Sequence, residues 1–278
     1  MVPTLSITAV VENTAGKFNF LGEWGLALWI EAGPHRILYD TGQGRTLIDN
    51  ARLLGIDLRD AQALVISHGH SDHSGGIAAL MAHGFHGKVY IHPKALEKKY
   101  QLEGDPPPRL KGIPPACEAA LRDHGADVIH SAVPTEIAPG LIVTGTIPRR
   151  NDFEAKPGPY FLDEAGATKD PLIDDQALMI ETPKGWVVIT GCGHAGVVNT
   201  VRYAAELAGS GNIYAVAGGM HLFAASPQQV RTTAEQLREL RVPFLAPCHC
   251  TGIQTVGVLQ AEFGTGVKPL SAGIRQEF

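Results

Sequence analysis

The run Ser67-His68-Gly69-His70-Ser71-Asp72-His73-Ser74-Gly75-Gly76 constrains the chain more than any other stretch. It crowds three histidines and one aspartate into six residues, directly behind the apolar run Ala63-Leu64-Val65-Ile66, which reads as a buried strand. A strand that ends in a short polar loop at a Gly-Gly helix start holds side chains on a rigid stem and lets several turn toward one point. His68 and His70 stand two apart, so along an extended backbone they leave on the same side and can grip one cation. Asp72 and His73 follow the turn, where they can reach a second cation, or one can ligate while the other orients water. With only 12 histidines among 278 residues, such crowding points to metal binding rather than to a solvated polar loop.

A chain of this length accommodates one large α/β domain or two small ones, and 44% hydrophobic with 18% charged residues describes an ordinary globular protein. The net charge of -5 argues against a general nucleic-acid binder. No stretch approaches the roughly 20 apolar residues of a membrane helix, and Met1-Val2-Pro3-Thr4-Leu5 carries no basic region ahead of an apolar one, so a cytoplasmic protein with no membrane partner is expected. Four cysteines are too few for a disulfide framework, and reduced thiols are expected. The expected partner is a small-molecule substrate.

In order, Leu5–Val11 reads as a strand, Leu26–Glu31 and Arg36–Asp40 as a hairpin turning at Gly33-Pro34, and Arg45–Leu54 as a helix. Behind the metal loop follow a helix over Gly75–Ala82, a strand Lys88–His92 and a short helix Pro93–Tyr100. A Pro-rich insertion at about 101–116, with Pro106-Pro107-Pro108 and Pro114-Pro115, is expected to be irregular and to form either a lid or a surface excursion. A second loop contains Arg149-Arg150-Asn151-Asp152 and Lys156-Pro157-Gly158-Pro159. The chain then echoes itself. Ile37–Gly42 is matched by Val188–His194, the strand into His68 by Ile213–His221, and Val89–His92 by Phe244–His249. Two pseudo-repeated halves, about 1–150 and 151–278 of a single domain, would bury their sheets against each other in a four-layer α/β/β/α sandwich.

His194, His221 and His249 each stand just past an apolar strand, the position the opening motif occupies, so a shared site is expected. Cys192 can bind as a thiolate, and Asp175 is a possible oxygen ligand or supporting partner. Asp40, at a strand end, is expected to orient a metal-binding imidazole. Cys248-His249-Cys250 lacks the second ligand pair of a separate structural zinc, so both of these cysteines read as packing residues. Arg149 and Arg150, with Lys98, Lys99, Arg109 and Lys111, lie in segments able to cover a pocket, where an inward arginine would select a phosphate or carboxylate.

His68-x-His70-x-Asp72-His73 followed by Ser74-Gly75-Gly76 resembles the signature of the metallo-β-lactamase superfamily. The resemblance implies the same four-layer fold and one or two divalent ions, zinc in the first place, with iron or manganese also suited to imidazole and carboxylate ligands. It also implies an acidic ligand after a Thr-Gly turn, where Thr190-Gly191 is followed instead by Cys192. Glu12-Asn13-Thr14, Glu23-Trp24-Gly25-Leu26, Ile189–Gly196, Gly218–Leu222 and Pro247–Gly252 narrow the likeness to the branch typified by a dihydropterin-ribofuranosylaminobenzene-phosphate synthase, with Trp24 standing where that branch has a histidine. The leading expectation is a metal-dependent hydrolase acting on a small anionic substrate, with Asp72 positioning the nucleophile and His221 donating a proton or holding substrate. The alternatives are synthase-like carbon-nitrogen bond formation, with Trp24, Tyr160 and Phe161 as an aromatic platform, and a non-catalytic metal-binding protein.

Overall fold

A computed structural model describes residues 1–103, 107–154, 158–209 and 212–278. Its elements are β1 (Leu5–Val11), β2 (Ala27–Ala32), β3 (His35–Tyr39), α1 (Leu47–Leu54), β4 (Ala63–Ile66), α2 (Ser71–Ser74), α3 (Ile77–Ala82), β5 (Lys88–Ile91), β6 (Tyr100–Gln101), β7 (Arg109–Leu110), α4 (Pro115–His124) and β8 (Val128–His130). There follow β9 (Thr135–Ala138), β10 (Leu141–Val143), β11 (Tyr160–Phe161), β12 (Leu178–Thr182), β13 (Gly185–Thr190), α5 (Val197–Ala208), β14 (Ile213–Gly218), α6 (Pro227–Glu239), β15 (Phe244–Pro247), α7 (Ile253–Phe263) and β16 (Arg275–Glu277).

One sheet runs β16-β1-β2-β3-β4-β5-β8 and the other β15-β14-β13-β12-β10-β9. Ile7, Leu28, Ile30 and Tyr39 of the first sheet meet Leu178, Ile180, Val187 and Ile189 of the second in one buried cluster between them. Leu38, Leu64, Ile66 and Val89 face the other way, against Leu47, Ile77, Leu80 and Leu121 of α1, α3 and α4. Met179, Val188, Val216 and Leu245 likewise face Val198, Val201, Leu237 and Leu259 of α5, α6 and α7. Strands apolar on both faces are what a sheet buried between another sheet and helices requires, and the α/β/β/α sandwich follows.

The repeat is visible in strand direction. β3, β4 and β5 pair in parallel, as do β13, β14 and β15, so each set releases its chain at the same edge and the loops behind β4, β13, β14 and β15 meet there. The division into sheets does not fall at residue 150. β9 and β10 already belong to the second sheet, and the C-terminal β16 crosses back to pair with β1.

Three local readings need correction. The helix expected over Gly75–Ala82 starts only at Ile77, as α3, with the separate turn α2 ahead of it. A Cβ on Gly76 would lie 2.3 Å from the Thr41 carbonyl oxygen, so the glycines admit the 41–44 turn against the helix start rather than continue a helix. Pro114 and Pro115 are not irregular, since Pro114 caps α4 and Pro115 occupies its first turn, where a missing N–H costs nothing. The expected Pro93–Tyr100 helix is one 3₁₀ turn, Pro93–Leu96, before β6. The two loops expected to cover the site join in a small sheet, β11-β6-β7, with Tyr160 paired to Gln101. Pro106, Lys156 and Pro157 lie outside the described residues.

Candidate metal centre

The site is assembled from Asp40 outward. Its carboxylate, buried at the end of β3, accepts from the Ser67 N–H (2.7 Å), the Ser67 hydroxyl (2.7 Å) and His73 Nδ1 (2.7 Å). Because the Ser67 proton is committed to Asp40, the hydroxyl can only accept at its 2.9 Å contact with His68 Nδ1. Both imidazoles therefore carry their proton on Nδ1 and turn an Nε2 lone pair inward, the role expected of Asp40. His249 is held in the same way from β1. Its Nδ1 lies 2.9 Å from Asn13 Oδ1, which also accepts from the Gly25 N–H, and its backbone N–H donates to Glu12 Oε1 at 2.7 Å.

These lone pairs converge. His73 Nε2 is 3.2 Å from His249 Nε2 and 3.2 Å from Cys192 Sγ, and Asp72 Oδ2 lies 3.6 Å from His249 Nε2. Two imidazole nitrogens with lone pairs facing at that distance need a cation or a proton between them. Nε2 of His68, His70 and His194 and Nδ1 of His221 are buried with no hydrogen-bond partner. An uncompensated buried polar atom costs roughly 1–3 kcal/mol, and several sharing one cavity beside a carboxylate fit divalent ions. Donor atoms within 4.8 Å of one another form the groups His68-Cys192-His194, His73-Cys192-His249 and Cys192-His221-Cys250. Cys192 is common to all of them, at the position where the superfamily resemblance implies an acidic ligand.

Burial drives the pKa values of His68, His70 and His194 well below the usual imidazole value, keeping them neutral and able to bind metal. It also holds His249 down to about 4. His73 moves the other way, because Asp40, with help from Asp72, outweighs burial. Asp72, though buried, is held well below the carboxylate range by His73, Lys111 and His249, and its Oδ1 pairs with Lys111 Nζ at 2.8 Å. Burial pushes the Cys192 thiol up, while Cys250 is the more acidic of the pair despite its burial, through its contacts with Cys192, His249 and His221. Asp40, His221 and His249 all adopt positive φ, at 61°, 49° and 51°. Such backbone strain in non-glycine residues concentrates where a side chain must be aimed.

The structure thus brings together His68, His70, Asp72, His73, Cys192, His194, His221 and His249. Asp175 stays apart from them. Its Oδ2 accepts from the Ala195 N–H at 2.7 Å, steadying the turn that presents His194, and burial pushes its pKa up to about 7. Neither arginine reaches the cavity. Arg149 donates to the carbonyls of Pro171, Leu172 and His194, and Arg150 pairs with exposed Glu206. Backbone carbonyls and a surface carboxylate take up both guanidinium groups. Lys99 is buried against Asp170 and Asp174, and Lys98 and Arg109 point to solvent.

A cavity of about 470 Å³ opens over the cluster, walled by Trp24, Tyr160, Phe223, Gln101, Glu103 and Lys111. The Tyr160 ring lies 4.5 Å from that of His70, tilted by 42°, whereas Phe161 lies under Lys169 Nζ outside the cavity. Sequence reasoning missed Cys250, which belongs to the site rather than to the packing, and Asn13, Glu12, Ser67 and Phe223. Cys248 is a packing residue between the sheets. Adjacency of Cys250 to His249 was the available signal, but a 3₁₀ turn over His249–Thr251 is what swings its sulfur inward.

Residues 25–204 match the family model of the metallo-beta-lactamase superfamily. The 7,8-dihydropterin-6-methyl-4-(beta-D-ribofuranosyl)-aminobenzene-5'-phosphate synthase of Methanocaldococcus jannaschii is 29% identical over 98% of this chain and 96% of its own. A second, uncharacterised protein of that archaeon is 32% identical over 90% of this chain and 92% of its own. Among solved structures, Tm1679, described as a metal-dependent hydrolase of the beta-lactamase superfamily, superposes with a TM-score of 0.80 at 29% identity, covering 99% of both chains. The YhfI protein of Bacillus subtilis shares the fold at a TM-score of 0.58 and 14% identity, covering 99% of this chain and 100% of that one. With a matching family model, a histidine cluster at one edge of paired sheets and a shared α/β/β/α fold, the chain belongs to the metallo-beta-lactamase superfamily.

Proposed function

We propose that the protein is a metal-dependent hydrolase of a small ester-, lactone- or phosphoester-type substrate. The observation that carries this reading is the set of buried, unpartnered nitrogens of His68, His70, His194 and His221, all but the first in residues that line an open cavity together with Asp72 and Cys192. Zinc, iron or manganese held there would acidify water and polarise a carbonyl or phosphoryl oxygen. His68, His70 and His194 hold one side of the site, and His73, His249 and Asp72 the other, with Cys192 between them. Asp72 stays ionised and accepts a hydrogen bond from the attacking water. His221, at the half-buried rim, is raised in pKa by Cys250 and Asp175 against the pull of burial, and it gives its proton to the leaving group.

Charge selection is weaker than the arginines had suggested. Lys111 is the one lysine or arginine among the described residues lining the cavity, and it is already paired with Asp72. The start of α5, another natural anion site, is taken by Glu154, which accepts from the N–H groups of Val198 and Asn199 at 2.8 and 3.0 Å.

Synthase chemistry like that of the archaeal relative is the second reading, favoured by the aromatic walls Trp24 and Tyr160. The test is a panel of phosphoesters, lactones and esters, run beside the pterin alcohol and arylamine riboside phosphate, on zinc-, iron- and manganese-loaded enzyme and on His68→Ala. Hydrolysis lost in the variant supports the first reading. A coupled pterin product without hydrolysis supports the second, and no turnover of any compound supports a non-catalytic metal binder.

A further inference from the structure

Beside the metal cavity lies a second hollow of about 400 Å³ between α6 and α7, walled by Leu222, Phe223, Pro227, Val230, Ile253 and Val258. Phe223 and Ala225 line both spaces, so the two meet along one wall. That wall is tied to the metal centre, since the N–H groups of Leu222 and Phe223 both donate to the Cys250 carbonyl at 3.1 and 3.0 Å. The fit is close. A Cβ on Gly252 would lie 2.9 Å from Phe223 Cα, and the residue's φ of 81° also favours glycine.

The hollow is lined mainly by apolar side chains, with Arg231, Gln254 and Thr255 among them, and it is uncovered. Phe223 is 53% exposed and Ile253 86% exposed, and Trp24, 47% exposed, meets the Phe223 ring at 5.9 Å across the cavity mouth. On α7, Leu259 turns to the core, while Ile253 and Val258 face solvent beside the polar Gln254, Gln260 and Glu262. A contiguous exposed apolar patch running on from a reaction cavity marks a place where ligand completes the surface.

From this continuity we infer that the groove between α6 and α7 binds an unbranched aliphatic arm of the substrate, whose reacting group sits over the histidine cluster. The inference rests on the proposal that this cluster is the reacting centre. It identifies the substrate class as amphipathic, with binding energy supplied by the arm, in keeping with the scarcity of cations on the cavity wall.

The probes are acetyl, butyryl, hexanoyl, octanoyl and decanoyl hydroxamic acids, uncharged in solution, whose head chelates metal on losing its proton while the chain length varies. Calorimetric titration of the zinc-loaded and chelator-stripped protein separates the two parts. Affinity should rise about two- to fourfold per added methylene in both forms. That slope should vanish in Ile253→Asp and Val258→Asp, both surface changes, and persist in the remote surface control Leu53→Asp. Dependence on chain length with no difference between loaded and stripped protein would uphold the groove and overturn the metal-centre reading alone. A slope that is absent, or that survives both groove variants, overturns the inference. So does a concentration-dependent dimer abolished by Ile253→Asp without any chain-length slope, which would assign the face to a second copy of the chain.

Discussion

Replacing Asp40 by asparagine tests the logic of the site with minimal change of shape. The carboxylate accepts three hydrogen bonds, from the Ser67 N–H, the Ser67 hydroxyl and His73 Nδ1. Asparagine retains one oxygen for the Ser67 N–H but turns an NH₂ toward the other two partners. His73 Nδ1 must then accept, so its proton moves to Nε2 and its lone pair leaves the cluster. The Ser67 hydroxyl, now accepting from the amide, is free to donate to His68 Nδ1, which moves that proton to Nε2 as well. One substitution therefore silences two candidate ligands, and loss of such a supporting partner costs about 10–100-fold in metal affinity per ligand. Asp40→Asn should weaken zinc binding by roughly 10²–10⁴, or about 2.7–5.5 kcal/mol. Competition against a fluorescent chelator measures the affinity, and long-range ¹H–¹⁵N correlation spectra of the metal-free protein read the tautomers. Wild-type affinity with unchanged Nδ1–H tautomers for His68 and His73 would refute the reasoning.

In cobalt-substituted protein, Cys192→Ser should abolish the near-ultraviolet thiolate-to-metal absorption, whereas a band that persists and disappears only in Cys250→Ser would move the sulfur ligand to Cys250. Arg149→Ala should leave KM unchanged for any substrate found and lower stability by about 1 kcal/mol through the carbonyls it leaves unpaired, and a several-fold rise in KM would return Arg149 to the binding site. Burial holds four imidazoles of the cluster, His68, His70, His194 and His249, below their unfolded pKa, so only the unfolded chain gains their protons as pH drops through about 6.5, and each costs stability on acidification. The raised imidazoles of His73 and His221 and the raised carboxyls of Asp175, Glu12 and Glu154 act oppositely, so one group is read by difference. In metal-free protein followed by urea unfolding, the stability of the wild type relative to His249→Asn should fall by about 3 kcal/mol between pH 7 and 4, since burial holds His249 down to about 4. A difference that stays constant or grows on acidification would contradict the burial of His249.

Much of the site was legible because its ligands lie at strand ends in a repeated unit. An apolar run stopping at a histidine identifies both the stem and the position, and this placed His68, His194, His221 and His249 without coordinates. Short-range spacing carried His70, Asp72 and His73 for the same reason. Asn13 and Cys250 were not legible as site residues. Asn13 reaches His249 across 236 residues of sequence, and Cys250 enters through a single turn of 3₁₀ helix. The arginines misled because charge in a loop says nothing about where the nearest acceptor lies.

The residue pattern by itself determined the four-layer architecture, since strands apolar on both faces can be buried only between a sheet and helices, and it determined a histidine cluster at the sheet edge, since parallel strands release their loops on one side. Tertiary structure alone decided that the sheets exchange strands, with β9 and β10 joining the second and β16 returning to the first. It also decided that Cys192 stands between the two sides of the site, that Asp175 supports rather than joins it, and that an apolar groove adjoins it. Periodicity and spacing act over a few residues, whereas the protonation of an imidazole or the company of a thiol is set by groups brought within hydrogen-bonding distance from anywhere in the chain.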